Sequence, residues 1–185
     1  MHRSTRVVAP LALALALIAV PAAAAPLGRK VTSHRVRAGK PDPSGWCQAR
    51  STKGGFAIAL PGKFDDFTVS GKGQDGVVQH AYNLVATTDE VKVVAMALEK
   101  ADGRVPPDAL RKFAEGLGGE QHPVQHAGLE GVEARTAEGG GVALHRFLVG
   151  KHRSFAVTVI VRASVPEKLE PVAHRVFDSL KIERD

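Results

Sequence analysis

The 185 residues include one cysteine, one tryptophan and one tyrosine, and aromatic residues make up only 5% of the chain. A single cysteine excludes an intramolecular disulfide, so Cys47 is either a free thiol or part of an intermolecular bridge. The scarcity of aromatic rings leaves little for stacking on bases, which argues against a nucleic-acid partner. Acidic residues are absent from the first 40 positions, which hold seven Lys or Arg.

The basic excess is confined to this first segment. The formal net charge of the chain is +6, yet from Pro41 onward 18 basic residues face 19 acidic ones. Residues 25–45 form a basic arm and a Pro-rich and Gly-rich linker with too little apolar surface to repay ordering, so we expect them to be disordered. Residues 28–40 could make weak electrostatic contact with an anionic membrane surface, and the alternative is a solvated tether.

No apolar run is long enough to span a bilayer. The longest, residues 7–20, has 14 residues, whereas a transmembrane helix needs about 20. It follows a positively charged start (Arg3, Arg6) and precedes small residues that fit a signal peptidase. Residues 1–24 are therefore predicted to be a cleaved signal peptide. We expect export to the periplasm or the exterior, with no transmembrane segment in the mature chain.

Strand patterns and helix patterns alternate along the remaining chain. Alternating apolar residues predict strands over 52–62, 63–70, 77–87 and 91–98, around Val124 and Val132, and over 142–149 and 154–162. The strand over 91–98 is apolar on both faces, as expected of a central strand. Apolar residues three and four apart predict a helix over 110–117 and another after Ser164, where Ser164 and Glu167 resemble a capping box. This order predicts one α+β domain over residues 46–185, an antiparallel β-sheet flanked by helices.

Several of these segments resemble a known family. They are the GGFAIALPGKF opening, the strand over 91–98, the helix after Pro106-Pro107, the glycines of 128–131 and 139–141, the LHRFLVGKHRSFAVTVI strand pair and the closing FDSLK. Together, over residues 50–183, they are similar to the PsbP-like family. The resemblance implies an α/β/α sandwich and a non-catalytic binding or accessory module. It transfers no site residue, because the family has no shared active-site motif.

His80, Tyr82 and His145 are the candidate ligand-binding residues. Each alternates with apolar residues on a predicted strand, so each could line a pocket and contact an acidic ligand. The alternative is a half-buried, hydrogen-bonded histidine with a structural role. His122 and His126 would lie on one strand face, too far apart to share a metal ion. No catalytic residue, metal ligand or cofactor is predicted.

Three functions remain open from the sequence. The favoured one is an exported, non-catalytic module of the cell envelope that binds an unidentified protein or small ligand. An enzyme or metal-dependent protein that uses histidines clustered by the fold is the first alternative. A structural protein tethered to the envelope by its basic arm is the second.

Overall fold

Eleven β-strands and two α-helices make up most of the described chain. The structure is a computed structural model that describes residues 27–73, 76–103, 105, 108–117, 119–138 and 140–183. The strands are β1 (Leu27–Ala38), β2 (Trp46–Arg50), β3 (Phe56–Pro61), β4 (Phe64–Lys72), β5 (Val78–Thr87), β6 (Val91–Lys100), β7 (Glu120–His126), β8 (Leu129–Glu138), β9 (Gly141–Val149), β10 (Arg153–Arg162) and β11 (Lys181–Ile182). The helices are α1 (Ala109–Leu117) and α2 (Leu169–Asp178). The predicted signal peptide lies outside the described residues.

The strands form two antiparallel sheets of unequal width. The large sheet has eight strands in the order β1-β4-β5-β6-β10-β9-β8-β7, and the small sheet has three in the order β11-β3-β2. The small sheet and α2 lie against one face of the large sheet, which we call the inner face. Helix α1 lies against the opposite, outer face, chiefly over β8 and β9.

The centre of the large sheet is the join between β6 and β10. Nine residue pairs run in continuous register from Val91 opposite Val161 to Glu99 opposite Arg153. Side chains of β6 alternate between the two faces: Val93 belongs to the main core, and Val94 packs towards α1. The prediction of a central strand apolar on both faces is confirmed, since each face of β6 has an apolar layer to meet.

The predicted α/β/α sandwich, with a sheet flanked by helices, is wrong. The structure is mostly antiparallel β, and its two α-helices hold only nine and ten residues. The predicted first strand, 52–62, leaves the large sheet and pairs as β3 with β2 and β11. A strand pattern indicates which residues are buried but not which sheet they join. The small sheet, which the pattern could not predict, covers much of the inner face in place of a helix.

Both predicted helices are present, with one change at the start of the second. Pro166–Lys168 forms a 3-10 turn and α2 begins at Leu169, so Pro171 falls in the first helical turn. The amide that proline lacks would have no intrahelical partner there, and the helix is not interrupted. The predicted capping box is wrong, because neither the turn nor α2 has a side-chain cap.

The basic arm is ordered, contrary to prediction, from Leu27 to Ala38. These residues form the edge strand β1, paired antiparallel with β4. The arm buries little apolar surface, so backbone pairing and polar contacts hold it instead. His34 Nε2 lies 2.8 Å from Thr68 Oγ1, and the Arg37 amide donates to Asp65 Oδ1. The prediction of disorder rests on composition, which reflects apolar burial alone and not the backbone pairing and polar contacts that hold β1.

Cys47 lies inside the core between the two sheets. It is 1% exposed, and burial raises the pKa of its thiol. The chain entering β2 covers it: a Cβ on Gly39 would lie 2.8 Å from the Cys47 sulfur and 2.9 Å from the Phe64 ring. Of the two states left open by the sequence, the free thiol fits this burial, because an intermolecular bridge needs an accessible sulfur.

We predict that Cys47 resists an aromatic disulfide reagent in the native protein. Burial and a raised pKa leave little accessible thiolate, so modification should proceed about 100-fold more slowly than in denaturant, through opening of the structure. Lys53→Cys, at an exposed position, is the control and should gain one promptly reacting thiol. Wild-type protein that reacts as fast as this variant, or runs as a disulfide-linked dimer, would contradict the burial.

Candidate functional site

His80 and Tyr82 lie on the inner face of the large sheet, where the cover provided by the small sheet ends. Both side chains are half-buried on β5. The strand register sets His80 opposite Ser70 on β4 and opposite Glu99 on β6, and Glu99 opposite Arg153 on β10. Four neighbouring strands thus contribute one polar residue each to a single row. We call Ser70, His80, Tyr82, Glu99 and Arg153 the polar strip.

Hydrogen bonds and ring contacts hold the polar strip in one arrangement. Ser70 Oγ lies 2.8 Å from His80 Nδ1, and the Arg153 Nη2 and Nε groups donate to Glu99 Oε2 at 2.7 and 3.1 Å. The His80 and Tyr82 rings are nearly parallel, with centroids 6.0 Å apart, and the Arg153 guanidinium carbon lies 5.4 Å from the Tyr82 centroid. Arg153 also donates to the Gly54 carbonyl, which joins the strip to the β2–β3 turn.

The environment of the strip favours the neutral form of Tyr82, which lies beside the ion pair between Arg153 and Glu99. Burial, and to a smaller extent a hydrogen bond with Glu99, raises the pKa of Tyr82. The side chains of Arg153 and Glu99 are 15% and 29% exposed, so solvent screens their pair only in part. Additional positive charge lies beside the strip, since Lys30 is opposite Ser70 and Lys72 is two residues further along β4. An anionic or hydroxyl-bearing ligand fits this surface better than a cation.

A buried carboxylate fixes the boundary between the strip and the core. Asp66 is 1% exposed and accepts hydrogen bonds from Arg35 Nη2 at 2.6 Å and from the Thr52 amide and hydroxyl at 3.0 and 2.5 Å. Arg35 comes from β1 and Thr52 from the β2–β3 turn. One side chain of β4 therefore anchors both the edge strand and the turn that covers the end of the inner face.

We predict that Asp66→Ala destabilises the protein by about 2–3 kcal/mol, because it leaves Arg35 and the Thr52 amide without their acceptor. The estimate is below that for a fully buried pair, since the Arg35 side chain is 38% exposed. Urea denaturation measures the change. Asp65→Ala, on the outer face of the same strand, is the control and should cost less than about 1 kcal/mol. Equal losses in the two variants would contradict the anchoring role.

His145 lies on the other side of the sheet from His80. It points to the outer face of β9, is 2% exposed, and lies 2.8 Å from Thr136 Oγ1 and 3.0 Å from Thr158 Oγ1. Burial lowers the pKa of His145 from 6.5 to about 4. The two histidines therefore do not share a cavity. The geometry of His145 is that of a hydrogen-bonded structural histidine, and its predicted ligand contact is not supported.

His122 and His126, the other pair singled out in the sequence, do not converge on one site. His126 Nε2 lies 2.7 Å from the Leu180 carbonyl oxygen, and His122 is exposed near Glu120. Among the described residues, no three His, Cys, Asp or Glu side chains group closely enough to hold a metal ion. An open depression of 340 Å³ lies beside the outer face, lined by Arg37, Lys63, Asp65, Val85 and Thr87.

Sequence reasoning missed three members of the polar strip: Ser70, Glu99 and Arg153. Ser70 ends the predicted strand over 63–70, Glu99 follows the strand predicted over 91–98, and Arg153 immediately precedes the one predicted over 154–162. No motif connects them, because their proximity depends on the pairings of β4 with β5, β5 with β6 and β6 with β10. Only the strand register brings them together.

Comparison with known proteins gives no match to any family model, to any curated protein or to any solved structure. The resemblance to the PsbP-like family thus has no support beyond the segments that suggested it. Within the described part of the chain, no helix is both long enough and apolar enough to cross a membrane.

We predict that His145 makes stability fall as the solution becomes more acidic. Between pH 6.5 and about 4 the unfolded chain takes up a proton that folded His145 does not, so the free energy of unfolding decreases through this window. The loss should reach about 3 kcal/mol and then level off. Urea titrations from pH 7.5 to 4 measure it.

His145→Gln should flatten this dependence, whatever its effect on stability at neutral pH. His174→Gln, which removes an exposed histidine on α2, should keep the wild-type dependence. If the His145 variant loses as much stability on acidification as the wild type, the histidine is not buried in its neutral form.

Proposed function

We propose that this protein is an exported, non-catalytic binding module of the cell envelope, and that it holds a polar ligand or a partner side chain at the polar strip. The observation that carries the proposal is the pre-ordered row on four adjacent strands. Its side chains already bond to one another, so little conformational entropy is lost on binding. His80 and Tyr82 remain half-exposed and can present ring faces and polar atoms to a ligand.

The charge around the strip narrows the chemistry of the ligand. Arg153 neutralises Glu99, and the basic side chains of Lys30 and Lys72 add positive charge beside the strip. The Tyr82 hydroxyl, the Ser70 hydroxyl and the His80 ring can exchange hydrogen bonds with hydroxyl or carboxylate groups. We therefore propose a ligand that combines an acidic group with hydroxyl groups or a flat face.

One observation favours an enzyme as the second candidate. Ser70 Oγ lies within hydrogen-bond distance of His80 Nδ1, as a nucleophile lies beside its general base. Such a base is normally oriented by a third group. Glu99 is directly opposite His80 but accepts hydrogen bonds from Arg153 and interacts with Tyr82. The Ser70–His80 contact therefore fits a structural hydrogen bond in a binding surface better than an activated serine.

Native mass spectrometry of the mature protein, purified from the envelope fraction of its own host, tests the binding role. We expect a bound small molecule in the wild type. His80→Ala and Tyr82→Ala should each weaken binding by about 5–30-fold, the usual effect of removing one hydrogen-bonding or stacking group. His174→Ala, at an exposed position on α2, should retain the bound mass. A ligand that survives both strip variants, or is lost equally from the control, would contradict this site.

The enzyme candidate has its own discriminating result. Hydrolysis of a simple nitrophenyl ester above the buffer rate, abolished by Ser70→Ala and retained by Ser154→Ala, would support an activated serine. We expect Ser70→Ala to leave any such background unchanged.

A further inference from the structure

The edge of β1 that points away from β4 is open. This 12-residue strand stands at the end of the large sheet, pairs with β4 on one side, and has no described strand on the other. The backbone N–H and C=O groups along such an edge can form a new ladder with another extended chain. The regular part of its pairing is Lys30–Ser33, and the register shifts on either side of it. A short segment therefore fits this edge better than a long one.

The edge is basic and carries exposed apolar groups. From Leu27 to Lys40 the chain has no acid. Of its basic residues, Arg35 is paired with Asp66, whereas Arg29 and Lys30 have exposed side chains. Val31 is 52% exposed and Val36 is 70% exposed, and they are the exposed large hydrophobic residues of the described chain. Charge and apolar contact are thus offered on the same strand as the open backbone.

We propose that β1 binds a short, extended, acidic segment of a partner protein, which adds to the large sheet as a further strand. Because neighbouring strand residues point to opposite faces, acidic side chains on one face of the segment would lie beside Lys30, and apolar ones on its other face would cover Val31. A second copy of this chain is a poor occupant, because pairing β1 with itself sets like charges side by side. This inference extends the proposed binding role to the edge of β1, which shares Lys30 with the surroundings of the polar strip, whereas His80 lies two strands away from β1.

A membrane surface could satisfy the basic side chains but not the directional hydrogen-bonding groups of the strand edge. This difference sets the design of the test. The probe is a fluorescent seven-residue peptide of alternating glutamate and valine. A second peptide has the same charge but is N-methylated at every backbone amide, so neither of its edges can donate to a strand. A third peptide replaces glutamate with lysine.

Fluorescence anisotropy measures affinity for the mature protein, and hydrogen exchange measures protection of residues 27–38. We expect the first peptide to bind and to slow exchange in β1. The N-methylated peptide should bind at least about tenfold more weakly, and the lysine peptide should not bind. No binding of the acidic peptide, or equal binding of its N-methylated form, would overturn strand addition. Protection of β1 by phosphatidylglycerol vesicles but not by the peptide would replace the protein partner with a membrane.

Charge reversal at the edge provides the matched variants. Arg29→Glu combined with Lys30→Glu should weaken the acidic peptide by at least about tenfold. Arg162→Glu combined with Lys181→Glu, at exposed positions on other strands, should not change its affinity. Equal losses in both double variants would show diffuse attraction and overturn the proposal. His80→Ala should bind the peptide normally, so failure at β1 and failure of the polar strip are separable.

Discussion

The fold depends on how one face of the eight-stranded sheet is covered. The three-stranded sheet and α2 that cover this face are narrower than the large sheet. The small sheet and α2 bury the apolar side chains of the inner face over the central strands, where β6 supplies an unbroken row of Val and Ala and β10 a row of Val with Phe155. Burial of this surface is the main favourable term in stability. The small sheet does not extend over the strand ends that carry Ser70 and Glu99. At these ends the inner-face residues change from apolar to polar. The polar strip is the margin of the core, and Asp66 holds the turn that defines this margin.

His80 and His145 show how position rather than residue type decides what a histidine can do. His145 lies between two threonines beneath the outer surface and is kept neutral by burial. His80 lies at the margin of the inner face, half-exposed beside Ser70 and Tyr82. The two have the same strand pattern in the sequence, with apolar residues at alternate positions. The face of the sheet, and what covers that face, separates a structural role from an available one.

Much of the fold could be predicted from the sequence, and the missing part has a physical reason. Alternation located β3 to β10, and helical spacing located α1 and α2, because each pattern is local. The division into two sheets was not predictable, since β2 and β11 are short and are defined by their partner β3. The order of β1 was missed because its stability comes from contacts with Asp65 and Asp66, about 30 residues away. For the site, the sequence predicted His80 and Tyr82 but not the three residues that only the strand register brings to them.

The connectivity of the large sheet divides it into two meanders. Strands β4, β5 and β6 follow one another as neighbours, as do β7, β8, β9 and β10, and the pairing of β6 with β10 joins the two groups. Each meander is built from hairpins between consecutive strands, which form quickly, whereas the join brings together distant parts of the chain. Until the join closes, each half presents its most apolar strand as an open edge. The newly synthesised chain is therefore most prone to aggregation at β6 and β10. A polypeptide cut between β6 and β7 would yield two fragments whose complementary edges are suited to reassociation.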